Sequence, residues 1–100
     1  MINYFVLGYQ GFEYFNENFD KSKYPNTVTR IIDNGNQKID GFQNYQLNKN
    51  IGCSGGFNLI CYIGFQYLGL EKIIIGQEDT IPEEDELQEL LDKCNENKIV

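Results

Sequence analysis

Three polar residues, Gln77-Glu78-Asp79, directly follow the apolar run Lys72 to Ile75 and Gly76. Three consecutive isoleucines closed by a glycine predict a short, fully buried strand. Open α/β folds bind ligands outside the carboxyl ends of such strands, and hard cations that hold diphosphates need oxygen ligands. The triplet is therefore a candidate cation and diphosphate site, although acids after a strand are also typical of a solvated loop.

A second polar segment, Asp33-Asn34-Gly35-Asn36, follows the predicted strand Val28 to Ile32. An asparagine amide can accept the N3 proton of a uracil and donate to its O4, so Asn34 could read a pyrimidine edge. The alternative is an ordinary turn, since Asp-Asn-Gly is a strong turn sequence.

Two further segments could contact other parts of a nucleotide. Tyr9 comes after the first predicted strand, where an aromatic ring can stack on a base. The segment Asn50 to Asn58 brings glycines to the start of a predicted helix, where free N–H groups and the helix dipole favour a phosphate. Packing roles for a tyrosine and for glycines are the plain alternatives.

Taken in order, the four segments closely resemble the nucleotide-sugar-binding half of family 2 glycosyltransferases with a GT-A fold, especially the rhamnosyltransferase-like branch. The resemblance spans residues 2 to about 92. It implies that Asp79 binds a Mn²⁺ or Mg²⁺ ion bridging the phosphates of UDP or a UDP-sugar, with Glu78 against the ribose. Gln10 and Gln77 depart from its usual residues. The nucleotide-binding positions that it implies are Leu7, Tyr9, Asp33, Asn34, Gly52, Gly55, Asn58, Gln77 and Glu78.

The acceptor-binding half of that family, which usually carries the general base, has no counterpart after Asp79. Two readings follow from the resemblance: a minimal glycosyltransferase that borrows acceptor contacts from a second copy or another protein, and a non-catalytic module that holds UDP without transferring sugar. A third reading, from another class, is an interaction domain. The sugar, the acceptor and the choice between uracil and thymine stay open, and the catalytic residues are unknown.

The elements that must position these residues alternate between strands and helices, which predicts a mostly parallel sheet with helices on both faces. The resemblance makes this a small GT-A, Rossmann-like, three-layer α/β/α domain over residues 1–100. We expect strands at Ile2 to Leu7, Val28 to Ile32, Tyr45 to Leu47 and Lys72 to Ile75. We expect helices at Glu13 to Phe19, Gly56 to Leu68 (ended by Gly69) and Glu83 to Asn95.

Composition limits the partners. The net charge of −7 argues against nucleic acid, and the lack of histidine excludes a Ser/His/Asp triad and histidine-based zinc sites. No apolar run approaches a membrane span, and three cysteines without Cys-x-x-Cys spacing favour reduced thiols in the cytoplasm. Large apolar side chains in a domain this small favour a homodimer, and they include Phe42, Tyr45, Phe57, Phe65 and Tyr67. The alternative is a monomer in which the acidic helix Glu83 to Asn95 shields this surface.

Overall fold

Four strands and three helices alternate along the chain in a computed structural model, which describes residues 1–9, 12–33, 42–47 and 51–95. The strands are β1 (Ile2–Gly8), β2 (Thr27–Asp33), β3 (Gln43–Gln46) and β4 (Ile74–Gln77). The helices are α1 (Phe12–Asn18), α2 (Gly52–Cys61, continued by a π-helical segment Tyr62–Tyr67) and α3 (Glu84–Asn95). None of the described helices is long and apolar enough to cross a membrane.

The strands form one sheet in the order β3-β2-β1-β4, and every pair is parallel. The chain moves from β1 through α1 to β2 on one side of β1. It later returns through α2 to β4 on the other side. Since crossover connections are nearly always right-handed, opposite directions of travel put α1 and α2 on opposite faces of the sheet. The parallel three-layer α/β arrangement is thus observed, and it is consistent with a Rossmann-like fold.

The central strand β1 separates two apolar clusters, because its side chains alternate between the faces. Ile2, Tyr4 and Val6 pack with Phe12 of α1 and Leu87 of α3 on one face. On the other face, side chains of β1 and β2 pack against α2 and its continuation; the buried members there are Phe5, Leu7, Ile32, Ile60 and Ile63. The most deeply buried strand is therefore β1.

The prediction of a fully buried strand before the polar triplet is wrong. Ile74, Ile75 and Gly76 are only partly buried, and the strand begins at Ile74 and extends through Gln77. The reason is position: β4 is the outermost strand, so within the described chain only β1 pairs with it. Gln77 consequently belongs to the strand, and only Glu78 and Asp79 follow it.

Helices α1 and α3 begin within one residue of their predicted starts, and α2 begins earlier than predicted. Helix α2 begins at Gly52, four residues before the predicted Gly56, and its second half is π-helical. The predicted stop at Gly69 is confirmed, since its φ of +68° lies in the left-handed region. Helix α3 begins at Glu84, one residue after the predicted start.

Candidate functional site

A cleft of about 210 Å³ lies at the carboxyl ends of β1 and β4, beside the start of α2. The chain adds β2 and β3 on one side of β1 and then returns to add β4 on the other side, so the strand order reverses between β1 and β4. In open α/β sheets, that reversal opens a crevice in which ligands bind. The residues that line the cleft are Leu7, Gly8, Tyr9, Gly52, Cys53, Gln77 and Glu78.

Five of the predicted nucleotide-binding residues meet in this cleft, although they come from three separate stretches of sequence. Leu7 and Tyr9 come from the end of β1, Gly52 from the start of α2, and Gln77 and Glu78 from the end of β4. Tyr9 leaves about half of its surface accessible (49%), so its ring is available to a ligand.

The carboxylate of Glu78 lies directly against the backbone of Gly8. A Cβ atom added at Gly8 would stand 2.7 Å from Glu78 Oε2 and 2.7 Å from Phe12 Cζ, closer than real side chains approach. Only glycine leaves this space for the carboxylate. Gly8 is also aligned with the buried Asp33 in the neighbouring strand β2. The end of β1 is thus flanked by Asp33 on one side and Glu78 on the other.

The predicted metal ligand, Asp79, lies in a turn just outside the cleft lining. The turn is closed by the Thr80 N–H, which donates to the Gln77 carbonyl over 3.2 Å, and Asp79 is exposed. Among the described residues, no group of three or more Asp, Glu, Cys or His side chains could hold a metal ion. One or two carboxylates are nevertheless enough for a cation that takes its other ligands from phosphates and water. Glu78 and Asp79 fit that requirement.

The glycines of the α2 start have different surroundings. Gly52 lines the cleft and has a φ of +79°. A Cβ at Gly56 would lie 2.7 Å from Leu7 Cδ1, so Gly56 lets α2 pack closely on β1. A Cβ at Gly55 would contact the side chain of Ile51, within the same helix start. Gly55, which the resemblance implies as a nucleotide-binding position, is therefore not among the residues that line the cleft.

Three predicted residues of the described chain, Asp33, Gly55 and Asn58, are not among the lining residues. Asn58 is exposed on α2 and is absent from the lining. Asn34 lies outside the described residues, so its prediction is neither supported nor opposed. Two lining residues, Gly8 and Cys53, were missed by sequence reasoning. For Gly8 a signal existed: it stands between Leu7 and Tyr9, and both of those were predicted.

The electrostatics of the cleft oppose a bare anion. Glu78 is the one carboxylate among the lining residues, and neither lysine nor arginine is among them. The start of α2 contributes the partial positive charge of a helix N-terminus, at Gly52 and Cys53. A diphosphate would therefore meet one unfavourable carboxylate and one favourable dipole, unless a cation lies between the phosphates and Glu78.

Comparisons of the chain with models of protein families, with curated proteins and with solved structures find no match. The family resemblance consequently rests on the four sequence segments alone.

Proposed function

We propose that this chain is a minimal GT-A-like domain that binds UDP or a UDP-sugar, with Mn²⁺ or Mg²⁺, in the cleft at the ends of β1 and β4. The observation that carries the proposal is the meeting of Leu7, Tyr9, Gly52, Gln77 and Glu78 in one cleft. The family resemblance implies a nucleotide-binding role for each of these five residues. The cleft also lies where α/β folds bind ligands.

Each part of the cleft has a role in this proposal. The Tyr9 ring stacks on the base, and the N–H groups at the start of α2 face the diphosphate. The resemblance implies that Glu78 lies against the ribose, but because Glu78 lines the cleft we assign it, with Asp79, to the cation, which offsets the charge of the phosphates. Asn34 reads the pyrimidine edge, as the resemblance implies. At about 210 Å³ the described cleft is smaller than the roughly 300 Å³ of pockets that enclose whole ligands, so it accounts for part of the nucleotide.

Binding without sugar transfer is the second candidate, and one observation favours it. Inverting sugar transfer needs a base to take the proton of the acceptor hydroxyl. Glu78 is the one carboxylate lining the described cleft, and the proposal already assigns it to the cation. The two candidates differ in whether a panel of UDP-sugars is consumed in the presence of Mn²⁺.

Titration calorimetry with UDP tests the binding proposal. We expect heat of binding with Mn²⁺ and a large loss of affinity after chelation, because phosphates would then face Glu78 without a cation. Glu78→Gln should weaken binding about tenfold or more, as expected when a charge-assisted contact worth roughly 1.5–3 kcal/mol is lost. The affinity of the Asp79→Asn variant for UDP in the presence of Mn²⁺ shows whether the Asp79 carboxylate also binds the cation.

The matched control is Glu17→Gln, which removes the same charge from an exposed site on α1 away from the cleft lining. It should leave the affinity for UDP unchanged. Equal affinity with and without Mn²⁺ would remove the cation from the proposal. Absence of binding under both conditions would remove the nucleotide as well.

A further inference from the structure

The two outer strands of the sheet differ in character. Strand β3 carries Gln43, Asn44, Tyr45 and Gln46, so three of its four side chains are polar. Strand β4 and the residue before it are apolar from Ile73 through Gly76. Within the described chain, β4 pairs with β1 and with no strand on its other side. Its outer N–H and C=O groups therefore lack a partner strand there.

Natural edge strands are usually protected by charged side chains, proline or bulges, because an open edge accepts another strand. The segment Ile73 to Gln77 has none of these protecting residues. The edge is instead bordered by an apolar groove of about 320 Å³, the β4 groove, to which both helical layers contribute. Its lining residues, none of them charged, are Phe57, Ile73, Ile74, Ile75, Leu90 and Cys94.

The charge distribution of the chain indicates which partner binds at the β4 edge. A chain with a net charge of −7 repels a second copy over most of its surface, and the uncharged β4 groove is an exception. The ends of β4 also carry opposite charges, with Lys72 before the strand and Glu78 after it. An antiparallel pair of β4 strands brings each lysine towards the glutamate of the other copy. A parallel pair would bring like charges together.

We infer that the outer edge of β4 is a self-association surface, on which a second copy pairs its own β4 in the antiparallel direction. With Ile75 opposite Ile75 on the two-fold axis, Lys72, which precedes the strand, comes near Glu78, which follows the strand in the other copy. The two sheets then join into one continuous sheet. Phe57 on one face, and Leu90 and Cys94 on the other, pack beside their symmetry equivalents. This association does not require nucleotide, although it shares Glu78 with the proposed cation site.

The same register predicts that the charge of Glu71, the residue before Lys72, weakens the dimer. Beyond the strand ends it brings Glu71 near Asp79, in the turn that follows the strand of the other copy, and both are exposed. This pair is repulsive. Reversing the charge of Glu71 should therefore strengthen the dimer, whereas reversing the charge of Lys72 should weaken it.

Analytical ultracentrifugation in the absence of nucleotide tests the inference. We expect the wild-type chain at tens of micromolar to sediment with twice the 11.6 kDa chain mass. Lys72→Glu should raise the dimer dissociation constant about tenfold, since two cross-strand pairs, each worth up to about 1 kcal/mol, become repulsive. Glu71→Lys should lower that constant, and the double variant Lys72→Glu/Glu78→Lys should restore it towards the wild-type value.

Lys23→Glu is the matched control, because it makes the same change in net charge at an exposed site before β2. It should leave the dissociation constant near the wild-type value. A monomeric wild-type chain would overturn the inference. An equal effect of Lys23→Glu and Lys72→Glu, or a double variant as weak as Lys72→Glu alone, would overturn the β4 register. Circular dichroism of every variant identifies any that fails to fold.

Discussion

Tyr4 is the residue whose chemistry departs most clearly from that of a solvated side chain. It lies in the middle of β1, almost fully buried, and its ring packs over Gly76 of the neighbouring strand. Its hydroxyl is buried without a hydrogen-bond partner among the described residues. Burial, with a smaller contribution from nearby Tyr24, raises its pKa from 10.0 to about 12. The hydroxyl is thus held in its neutral form.

This pKa predicts a loss of stability in alkali. The unfolded chain releases the Tyr4 proton near pH 10 and the folded chain near pH 12. The contribution to stability is therefore complete below pH 10 and is lost as the pH rises through 12, by up to about 3 kcal/mol. Tyr4→Phe should reduce this loss and leave the stability at pH 7 equal or higher, since an unpaired buried hydroxyl is removed. Urea unfolding of both proteins at pH 7 to 12 measures the difference, and parallel curves would contradict it.

The sequence predicts the composition of the cleft better than the orientation of its acids. Motif order placed Leu7, Tyr9, Gln77 and Glu78 near one another, and they do line one cleft. Nothing in the run Gln77-Glu78-Asp79 says which carboxylate turns inward. The orientation of Glu78 depends on the space that Gly8 leaves in β1. A contact between separate strands cannot be predicted from the local sequence pattern.

At the scale of elements, α3 is fixed to the sheet by its first carboxylate. Glu84 Oε2 accepts hydrogen bonds from the Asn26 N–H at 2.9 Å and from the Thr27 hydroxyl at 2.7 Å, at the beginning of β2. Close by, the Tyr24 hydroxyl donates to the Pro82 carbonyl. These contacts join residues nearly sixty positions apart. They position the helix that covers one face of the sheet.

Removing this carboxylate should weaken the docking of α3. We expect Glu84→Ala to lower the free energy of unfolding by roughly 1–3 kcal/mol, because two donors at the start of β2 lose their acceptor. Asp85→Ala is the control: it removes an exposed carboxylate from the same helical turn, so its effect on the helix dipole is similar. Urea titration at pH 7 compares them. Equal losses of unfolding free energy in the two variants would show that Glu84 stabilises the fold through its charge at the helix start and not through its hydrogen bonds to β2.

Element types were more predictable than element burial. The alternation of strands and helices was predictable because each has its own apolar period. The burial of β4 was not, since three isoleucines look alike in a central strand and in an outer one. Strand order decides burial, and order follows from the direction of each crossover. The parallel sheet was thus predictable from the elements, whereas the edge position of β4 required the fold.

At the scale of the whole molecule, the protection of backbone amides from hydrogen exchange should differ from strand to strand. Strand β1 has a partner on both sides and the deepest burial, whereas β4 has one partner in the described chain. Local opening costs least where few buried contacts are lost. Backbone amides of β1 should therefore exchange with solvent most slowly. Those of β4 should exchange faster in a single chain.

Self-association through β4 should make this gradient depend on protein concentration. In hydrogen exchange followed by mass spectrometry, peptides covering Ile73 to Gln77 should become more protected as the concentration rises through the dimerisation range, because outer amides gain acceptors from the second copy. Peptides covering the other outer strand, Gln43 to Gln46, should not change, which controls for a general effect of concentration. Lys72→Glu should shift this gain of protection in the β4 peptides to about tenfold higher protein concentration. Equal protection of β4 at all concentrations would mean that its edge stays unpaired, or is already covered within one chain.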